Sequence, residues 1–234
     1  MKNTLFILAI IYFLFGTVSN AQEQGVATYS VSVIENEDDI IQRQMKIINP
    51  AILDDVDNLS FQLYFKSTKS YFSLEDKLYR NQIIADAASL IAHYANPIVK
   101  IANKAYYQNS RNSFENPNKW VSSEIKDNWE ITQETKEINN YTVYKANGIY
   151  EKGNSTVGYK KMKATAWFCP EIPLPHGPLD FAGLPGLIFE LSFENVTYGL
   201  EKIEFRDVKL PKVDFDHVIT VEQDEQDTKK SMGR

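Results

Sequence analysis

The side chains in this chain that could act as a nucleophile or bind a metal are few and widely spaced. The sequence has one cysteine, Cys169, and three histidines, His93, His176 and His217. A thiolate nucleophile needs a nearby base, and His176 is the closest histidine in sequence, but prolines separate it from Cys169. Cys169 also ends an apolar run, which favours a small buried side chain over a reactive thiol. The histidines show no metal-ligand spacing, and we predict neither a metal nor a cofactor.

Carboxylates form the second set of candidate groups. Asp127, Glu130, Glu134 and Glu137 lie close together, and a pair of carboxylates could act as acid and base in glycoside hydrolysis. We favour the alternative that they are solvated positions on strands and turns. The sequence contains no nucleophile elbow, phosphate-binding loop, HExxH zinc motif or dinucleotide fingerprint. Catalytic groups converge in space rather than in sequence order, so an enzyme stays open as an alternative.

The most unusual stretch is 167–189, WFCPEIPLPHGPLDFAGLPGLIF, which holds five of the nine prolines and three of the ten glycines. Each proline restricts φ and removes a backbone donor, so residues 170–178 should be stiff and extended. The order Leu184-Pro185-Gly186-Leu187 predicts a type II turn, with Gly186 at the position that requires a positive φ. The stretch is either a rigid connection that sets the register of the next strand or a preformed rim for a ligand or partner.

Trp167 is the residue that makes the second interpretation worth testing. Period-two alternation places it on the side of its strand that carries Lys161, Lys163 and Thr165. Burying such a side chain is worth roughly 2–3 kcal/mol, so the proline segment, a helix over residues 80–94 or an external ligand should cover it. The candidate rim or wall is Trp167, Pro173, His176, Gly177 and Pro178, and the structural turn is Gly183, Leu184, Pro185 and Gly186.

The same stretch resembles a known family. Its hexapeptide, residues 183–188, is the one that names the GLPGLI proteins of Bacteroidetes-type bacteria. The similarity extends upstream through residues 166–173 and 129–136, and so covers the middle and later part of the chain. The resemblance implies an exported, β-rich envelope protein without an established activity, and it supplies no catalytic residues to carry over.

The N-terminal residues predict export. Lys2 precedes an apolar run from Leu5 to Phe15, and Ser19 and Ala21 are the small residues of a cleavage site. We therefore predict a signal peptide over residues 1–21 and a single β-rich domain over residues 22–234, located in the periplasm, at the outer membrane or outside the cell. The apolar run is too short for a comfortable transmembrane helix, although an uncleaved anchor is the alternative.

Composition narrows the classes of partner. The chain has 234 residues, 43% of them hydrophobic and 12% aromatic, which is enough for a sizeable core. The formal net charge of −6 argues against nucleic acid and against simple docking to anionic lipid. We expect no membrane span after removal of the leader.

Alternating apolar residues predict a mainly β fold. We expect a strongly curved antiparallel sheet of about nine strands, like a half-barrel or bowl, with one or two covering helices and a C-terminal helix. Ile84, Ala87, Ile91 and Tyr94 have helical spacing, and this helix within residues 75–96 either packs across the sheet or forms a lid. Thr220 with Gln223 has the spacing of a capping box at the start of the C-terminal helix.

These features support two functions of different classes. The first is an exported envelope binding or scaffold protein without catalysis, which carries an apolar ligand or is accessory to an outer-membrane transport system. The second is a secreted or periplasmic hydrolase of envelope or host polymers. Convergent carboxylates with perturbed pKa values would favour the enzyme, whereas an apolar groove would favour the carrier and a flat apolar patch the scaffold.

Overall fold

The computed structural model describes residues 23–77, 79, 81–108, 119–154 and 158–231, so the predicted signal peptide lies outside the described residues. The described chain is mainly β, as predicted. Its twelve strands form one sheet, which is open and not closed into a barrel. Four α-helices accompany the sheet, including the predicted C-terminal one. No helix in this part of the chain is long and apolar enough to cross a membrane.

The strands follow the chain in a nearly continuous antiparallel meander. They are β1 (Gln24–Val33), β2 (Ser60–Lys66), β3 (Lys69–Leu74), β4 (Ile98–Ile101), β5 (Lys104–Tyr107), β6 (Trp120–Glu124), β7 (Trp129–Ile138), β8 (Tyr141–Asn154), β9 (Gly158–Cys169), β10 (Leu187–Phe193), β11 (Val196–Phe205) and β12 (Val218–Thr220). Their order in the sheet is β12-β6-β5-β4-β3-β2-β1-β11-β10-β9-β8-β7. All neighbours are antiparallel except β12 and β6, which are parallel.

Three of the four helices lie between the early strands, and the fourth follows β12. They are α1 (Ile40–Ile48), α2 (Ile52–Val56), α3 (Gln82–Ile91) and α4 (Val221–Ser231), with a short 3₁₀ helix at Phe215–His217. The first three contact one another, and α2 also contacts β1. Asn81 caps α3 by accepting hydrogen bonds from two backbone N–H groups of its first turn. The helix ends at Ile91, before Tyr94, because His93 adopts a positive φ of 60°.

One face of the sheet carries the aromatic core. Phe61, Phe72 and Tyr198 are fully buried and pack with Tyr94, their ring centroids 5.1–6.1 Å apart. These residues come from β2, β3, β11 and the segment after α3. The helical segment thus packs onto the sheet and covers its core, as the first of the two interpretations expected.

Candidate functional site

The proline-rich loop, residues 170–186, is partly buried and is held by contacts with distant strands. His176 is 3% exposed, and its Nε2 lies 3.0 Å from the carbonyl oxygen of Ser67 and 3.3 Å from that of Lys66. Burial, with a contribution from the positive charge of Lys100, lowers the pKa of His176 to about 4. The imidazole is therefore neutral at pH 7, with Nε2–H as the donor.

Lys100 on β4 is the second anchor of this loop. Its side chain is 2% exposed, and Nζ donates hydrogen bonds to the carbonyl oxygens of Gly177 and Phe181, the latter at 3.0 Å. Burial lowers the pKa of Lys100 to about 7, and the negative charge of Asp180 opposes this shift. Trp129 adds a third anchor, since its Nε1 donates to the carbonyl oxygen of Ala182 at 2.8 Å.

The turn predicted at Gly186 was wrong in its geometry. Gly186 does not adopt a positive φ, whereas Gly183 does, at 86°. The N–H of Gly186 instead bonds to the carbonyl of Leu184 at 2.8 Å, a three-residue turn centred on Pro185. Gly186 is needed for another reason: a Cβ atom there would lie 2.6 Å from the carbonyl carbon of Cys169 and closer still to its oxygen.

Residues 170–178 are a chain of tight turns rather than a simple extended rod. Three-residue turns of the same kind recur at Pro173 and Pro175, where N–H groups bond to carbonyls two residues back at 2.7 and 2.8 Å. The fixed φ of proline suits the central position of such turns. The alternating pattern leaves both prolines exposed and the residues between and after them buried, namely Leu174 and His176.

The structure does not bring the predicted rim residues into one surface. Pro173 is exposed, but His176, Gly177 and Pro178 are buried, so these three support the loop. Trp167 is half-buried on the opposite side of its strand from the buried Ala166 and Phe168.

Two ammonium groups stand over the ring of Trp167. Lys136 Nζ lies 4.4 Å and Lys145 Nζ 6.0 Å from its ring centroid. Lys136 also forms an ion pair with Glu190 at 2.9 Å. The binding of an external partner to Trp167 stays a prediction.

A cleft that the sequence did not reveal lies between β5–β6 and β8, and we call it the seam cleft. Its inner pocket has a volume of about 210 Å³, and an adjoining outer part has about 540 Å³. Both parts share Tyr107, Ser123, Lys126, Tyr150, Glu151 and Asp180. The inner pocket is also lined by His93, Lys152, Leu179 and Glu194.

Backbone strain is concentrated around the inner pocket. His93, Leu179 and Glu194 have φ values of 60°, 52° and 52°, and all three line it. Glu194 occupies the first position of the two-residue turn between β10 and β11, where a positive φ usually selects glycine. Such strain costs of order 1–3 kcal/mol per residue and is concentrated at functional sites in many proteins.

Four charged groups of the inner pocket form two ion pairs, and the exposed Glu151 also lines the pocket. Lys126 Nζ lies 2.8 Å from Asp180 Oδ1 and stands 5.0 Å from the ring centroid of Tyr150. Lys152 Nζ lies 2.8 Å from both carboxylate oxygens of Glu194. The hydroxyl of Tyr150 donates to Glu194 at 3.0 Å. Both lysines are therefore neutralised by a carboxylate within the pocket.

His93 is a further polar residue of the inner pocket. Burial, reinforced by the charge of Lys152, lowers the pKa of His93, so the ring is neutral at pH 7. The ring packs 5.4 Å from that of Phe193, and its Nε2 has no hydrogen-bond partner among the described residues. Burial acts to raise the pKa of Glu194, but the hydrogen bonds from Lys152 and Tyr150 outweigh it and hold that pKa below its usual range.

The arrangement suits binding through hydrogen bonds more than metal or thiol chemistry. No group of three or more His, Cys, Asp or Glu side chains that could hold a metal occurs in the described ranges. Cys169 is fully buried, and burial raises the pKa of its thiol. Sequence reasoning missed His93, Tyr150 and Glu194 as a site because they come from three separate segments; the only local signal is the short turn at Glu194.

Comparison with known proteins gives a partial match. A family model described as a protein of unknown function, Porph_ging, matches residues 150–190, which include the proline-rich loop and one wall of the seam cleft. This match supports a relationship to a family of unknown function and does not carry the GLPGLI name. No curated protein matches the sequence.

Solved structures show distant similarity. Two crystal forms of PNGF-II match with TM-scores of 0.47 and 0.48 at 13% identity, covering 85% and 86% of this chain. The chain spans about a third of the PNGF-II structures, 31% and 32% of their length. LprF from Mycobacterium bovis matches with a TM-score of 0.30 at 10% identity, over 86% of this chain and 95% of that one.

Proposed function

We propose that this protein is an exported binding protein of the cell envelope, without catalytic activity of its own, that holds a small neutral polar ligand in the seam cleft. The observation that carries this proposal is the cleft itself. It combines a buried His93 Nε2, which has no hydrogen-bond partner among the described residues, with three strained backbone positions that the fold maintains at a cost.

The internal ion pairs define the charge of the ligand. Lys126 is held by Asp180 and Lys152 by Glu194, so neither cation is left for an anionic ligand. Displacing either carboxylate would leave a partly buried charge without its partner, which is costly. A neutral ligand with hydroxyl or amide groups can instead bond to His93 Nε2 and to the tyrosine hydroxyls without disturbing either pair.

The size of the pocket limits the ligand further. Its inner volume of about 210 Å³ corresponds to about seven water molecules at ~30 Å³ each. That space suits a small molecule or one terminal unit of a longer one. The outer part, of about 540 Å³, would accommodate the remainder.

An apolar ligand inside the curved sheet is less well supported. The proline-rich loop contributes Ile172, Leu174 and Leu184 to the same buried cluster as the sheet, and each is at most 5% exposed. A carried lipid would have to displace these side chains. We therefore place the ligand in the seam cleft. We regard an envelope protein, such as a component of an outer-membrane transport system, as the partner to which this ligand is passed.

The hydrolase is the second candidate, and His93 is the observation that favours it. A neutral imidazole with a free Nε2 in a cleft is a possible general base. The carboxylate beside it is a poor general acid, since Glu194 stays ionised and both its oxygens accept hydrogen bonds from Lys152. Binding therefore accounts for more of the geometry than hydrolysis.

The test is native mass spectrometry of the protein isolated from its own envelope fraction. We expect a retained small neutral molecule that is lost in His93→Phe, which fills the pocket, and kept in His217→Phe, which alters an exposed histidine. Equal retention in both variants would refute the assignment to the seam cleft. Recovery of a cleaved molecule from the parent protein, with the intact molecule trapped by His93→Gln, would favour the hydrolase.

A further inference from the structure

A second open groove lies beside the β2–β3 hairpin, and we call it the tyrosine groove. Its volume is about 1100 Å³, and its walls are the hairpin, α3 and residues 209–211. Four tyrosines line it: Tyr64, Tyr71, Tyr79 and Tyr94. Tyr64 and Tyr71 are cross-strand neighbours whose ring centroids lie 6.0 Å apart. The backbone N–H of Leu74 donates to the Tyr94 hydroxyl at 3.1 Å, which fixes that ring in the wall.

Carboxylates accompany these rings. Glu75, Asp76 and Asp86 line the groove, against two lysines, Lys77 and Lys209. Asp86 accepts a hydrogen bond from the neutral amide of Gln82 at 2.8 Å and has no ion pair within the described chain. Asp76 is exposed and likewise has no ion pair there. Aromatic faces combined with carboxylates form an environment that favours cations.

The chain itself already places a cation in this environment. Lys77 Nζ stands 5.3 Å from the ring centroid of Tyr79 and 3.6 Å from Glu75 Oε2. Glu75 is oriented by the amide of Gln62, which donates to it at 3.1 Å. The Lys77 ammonium group thus marks one position where the groove stabilises positive charge by a ring and a carboxylate together.

We propose that the tyrosine groove binds an extended cationic polypeptide segment, whose arginine or lysine side chains occupy positions such as the one that Lys77 fills in the free protein. The open volume of about 1100 Å³ is far larger than one cation requires and suits a peptide chain. The protein's formal net charge of −6 attracts such a segment from a distance. This site is independent of the seam cleft, and neither proposal depends on the other.

The first experiment is calorimetric titration of the folded protein with a tetra-arginine peptide at low salt. The matched ligand is tetra-citrulline, which has nearly the same shape and no charge. We expect the arginine peptide to bind and the citrulline peptide to bind at least tenfold more weakly. Equal binding of the two peptides overturns the proposal.

Variants then locate the binding site. Tyr71→Ala should weaken binding of the arginine peptide roughly three- to thirtyfold, the range expected for cation–π contacts from exposed to desolvated sites. Asp86→Asn removes an exposed carboxylate and should weaken binding by up to about fivefold, the range for an exposed ion pair. Asp216→Asn is the control, because it removes an exposed carboxylate outside the groove and should leave affinity unchanged. Equal effects of Asp86→Asn and Asp216→Asn would show attraction by net charge alone and would overturn the site.

The most specific experiment removes the ammonium group of Lys77. Lys77→Met vacates the ring of Tyr79 and the carboxylate of Glu75, so the arginine peptide should bind severalfold more tightly. Lys202→Met, which breaks an exposed ion pair with Glu204 elsewhere, is matched in its change of charge. A gain in both variants of the same size would assign the effect to charge, and a loss in Lys77→Met would exclude the proposed role of Lys77.

Discussion

The substitution Gly186→Ala tests the closest backbone contact of the proline-rich loop. An added Cβ would lie 2.6 Å from the carbonyl carbon of Cys169 and 2.9 Å from the nitrogen of Pro170. Both neighbours are backbone atoms, and Cys169 is paired with Leu187 at the junction of β9 and β10. Neither neighbour can rotate away as a side chain could, so relief requires the strands to separate.

The expected cost follows from this geometry. Forcing a methyl group into a packed site costs typically 1–3 kcal/mol, and the backbone on both sides places this case at the upper end, about 3 kcal/mol. For a chain of this size, the cost corresponds to a fall in Tm of roughly 6–12 °C. Gly186→Asn should be no milder, because the obstacle is the Cβ atom and not a positive φ.

Chemical denaturation with urea, followed by tryptophan fluorescence, measures the effect. The matched control is Gly199→Ala in β11, where the nearest atom to an added Cβ is Ser30 Oγ at 3.8 Å. The control should change the free energy of unfolding by less than about 1 kcal/mol. Equal destabilisation by the two alanines, or a clear advantage of asparagine over alanine at Gly186, would refute the reasoning.

Three further predictions concern buried or half-buried groups. The pKa of His176 falls from about 6.5 to about 4 on folding, so the stability that its neutral form contributes should be fully present above pH 6.5 and lost as the pH falls through 4. The loss should reach about 3 kcal/mol. Denaturation at several pH values should show this dependence in the parent protein and not in His176→Asn. Lys136→Met should lower the free energy of unfolding by about 1 kcal/mol through loss of the contact with Trp167, and a change no larger than that of the exposed Lys163→Met would count against it. The thiol of Cys169 should react with an aromatic disulfide reagent only after unfolding, so rapid labelling of the native protein would show that the site opens.

Patterns that depend on neighbouring residues were predicted well. Alternating apolar residues in 26–34 are a local signal for β1. The apolar phase of residues 198–205 shifts between Leu200 and Ile203, a local signal for a bulge, and the bulge lies where Thr28 pairs with Lys202 and Tyr29 with Leu200. The capping box at Thr220 and Gln223 is present, with reciprocal hydrogen bonds of 2.9 and 3.3 Å. The expected number of about nine strands was too low.

The strands that sequence reasoning missed are short ones. β4 (Ile98–Ile101) and β12 (Val218–Thr220) contain too few residues to establish a period-two pattern. Their pairing partners stabilise them instead. β4 pairs with both β3 and β5, and β12 lies parallel to β6.

The candidate site was less predictable, because its chemistry depends on distant parts of the chain. Lys100 has the sequence context of a surface lysine, and only the carbonyls of Gly177 and Phe181 explain why it is buried. His93 and Glu194 gain their positive φ values from the turns that the tertiary structure imposes, against local preference. The sequence correctly indicated that glycine is required at position 186, but for the wrong reason. Glycine is required because another strand lies close to it, and no local pattern shows this.

The anchoring of the proline-rich loop has a kinetic consequence. Its partners are remote: 77 residues separate Lys100 from Gly177, and 109 separate Ser67 from His176. Just after the loop, in β10, Ile188 accepts a hydrogen bond from Tyr29, 159 residues away. Closing such long segments is slow, so we expect the loop to dock late in folding, after the early meander has formed. Leu179 and Asp180 of this loop line the seam cleft, which is therefore completed only in the last stage. A ligand held there would bind the finished molecule and not its folding intermediates, and it would slow the first step of unfolding.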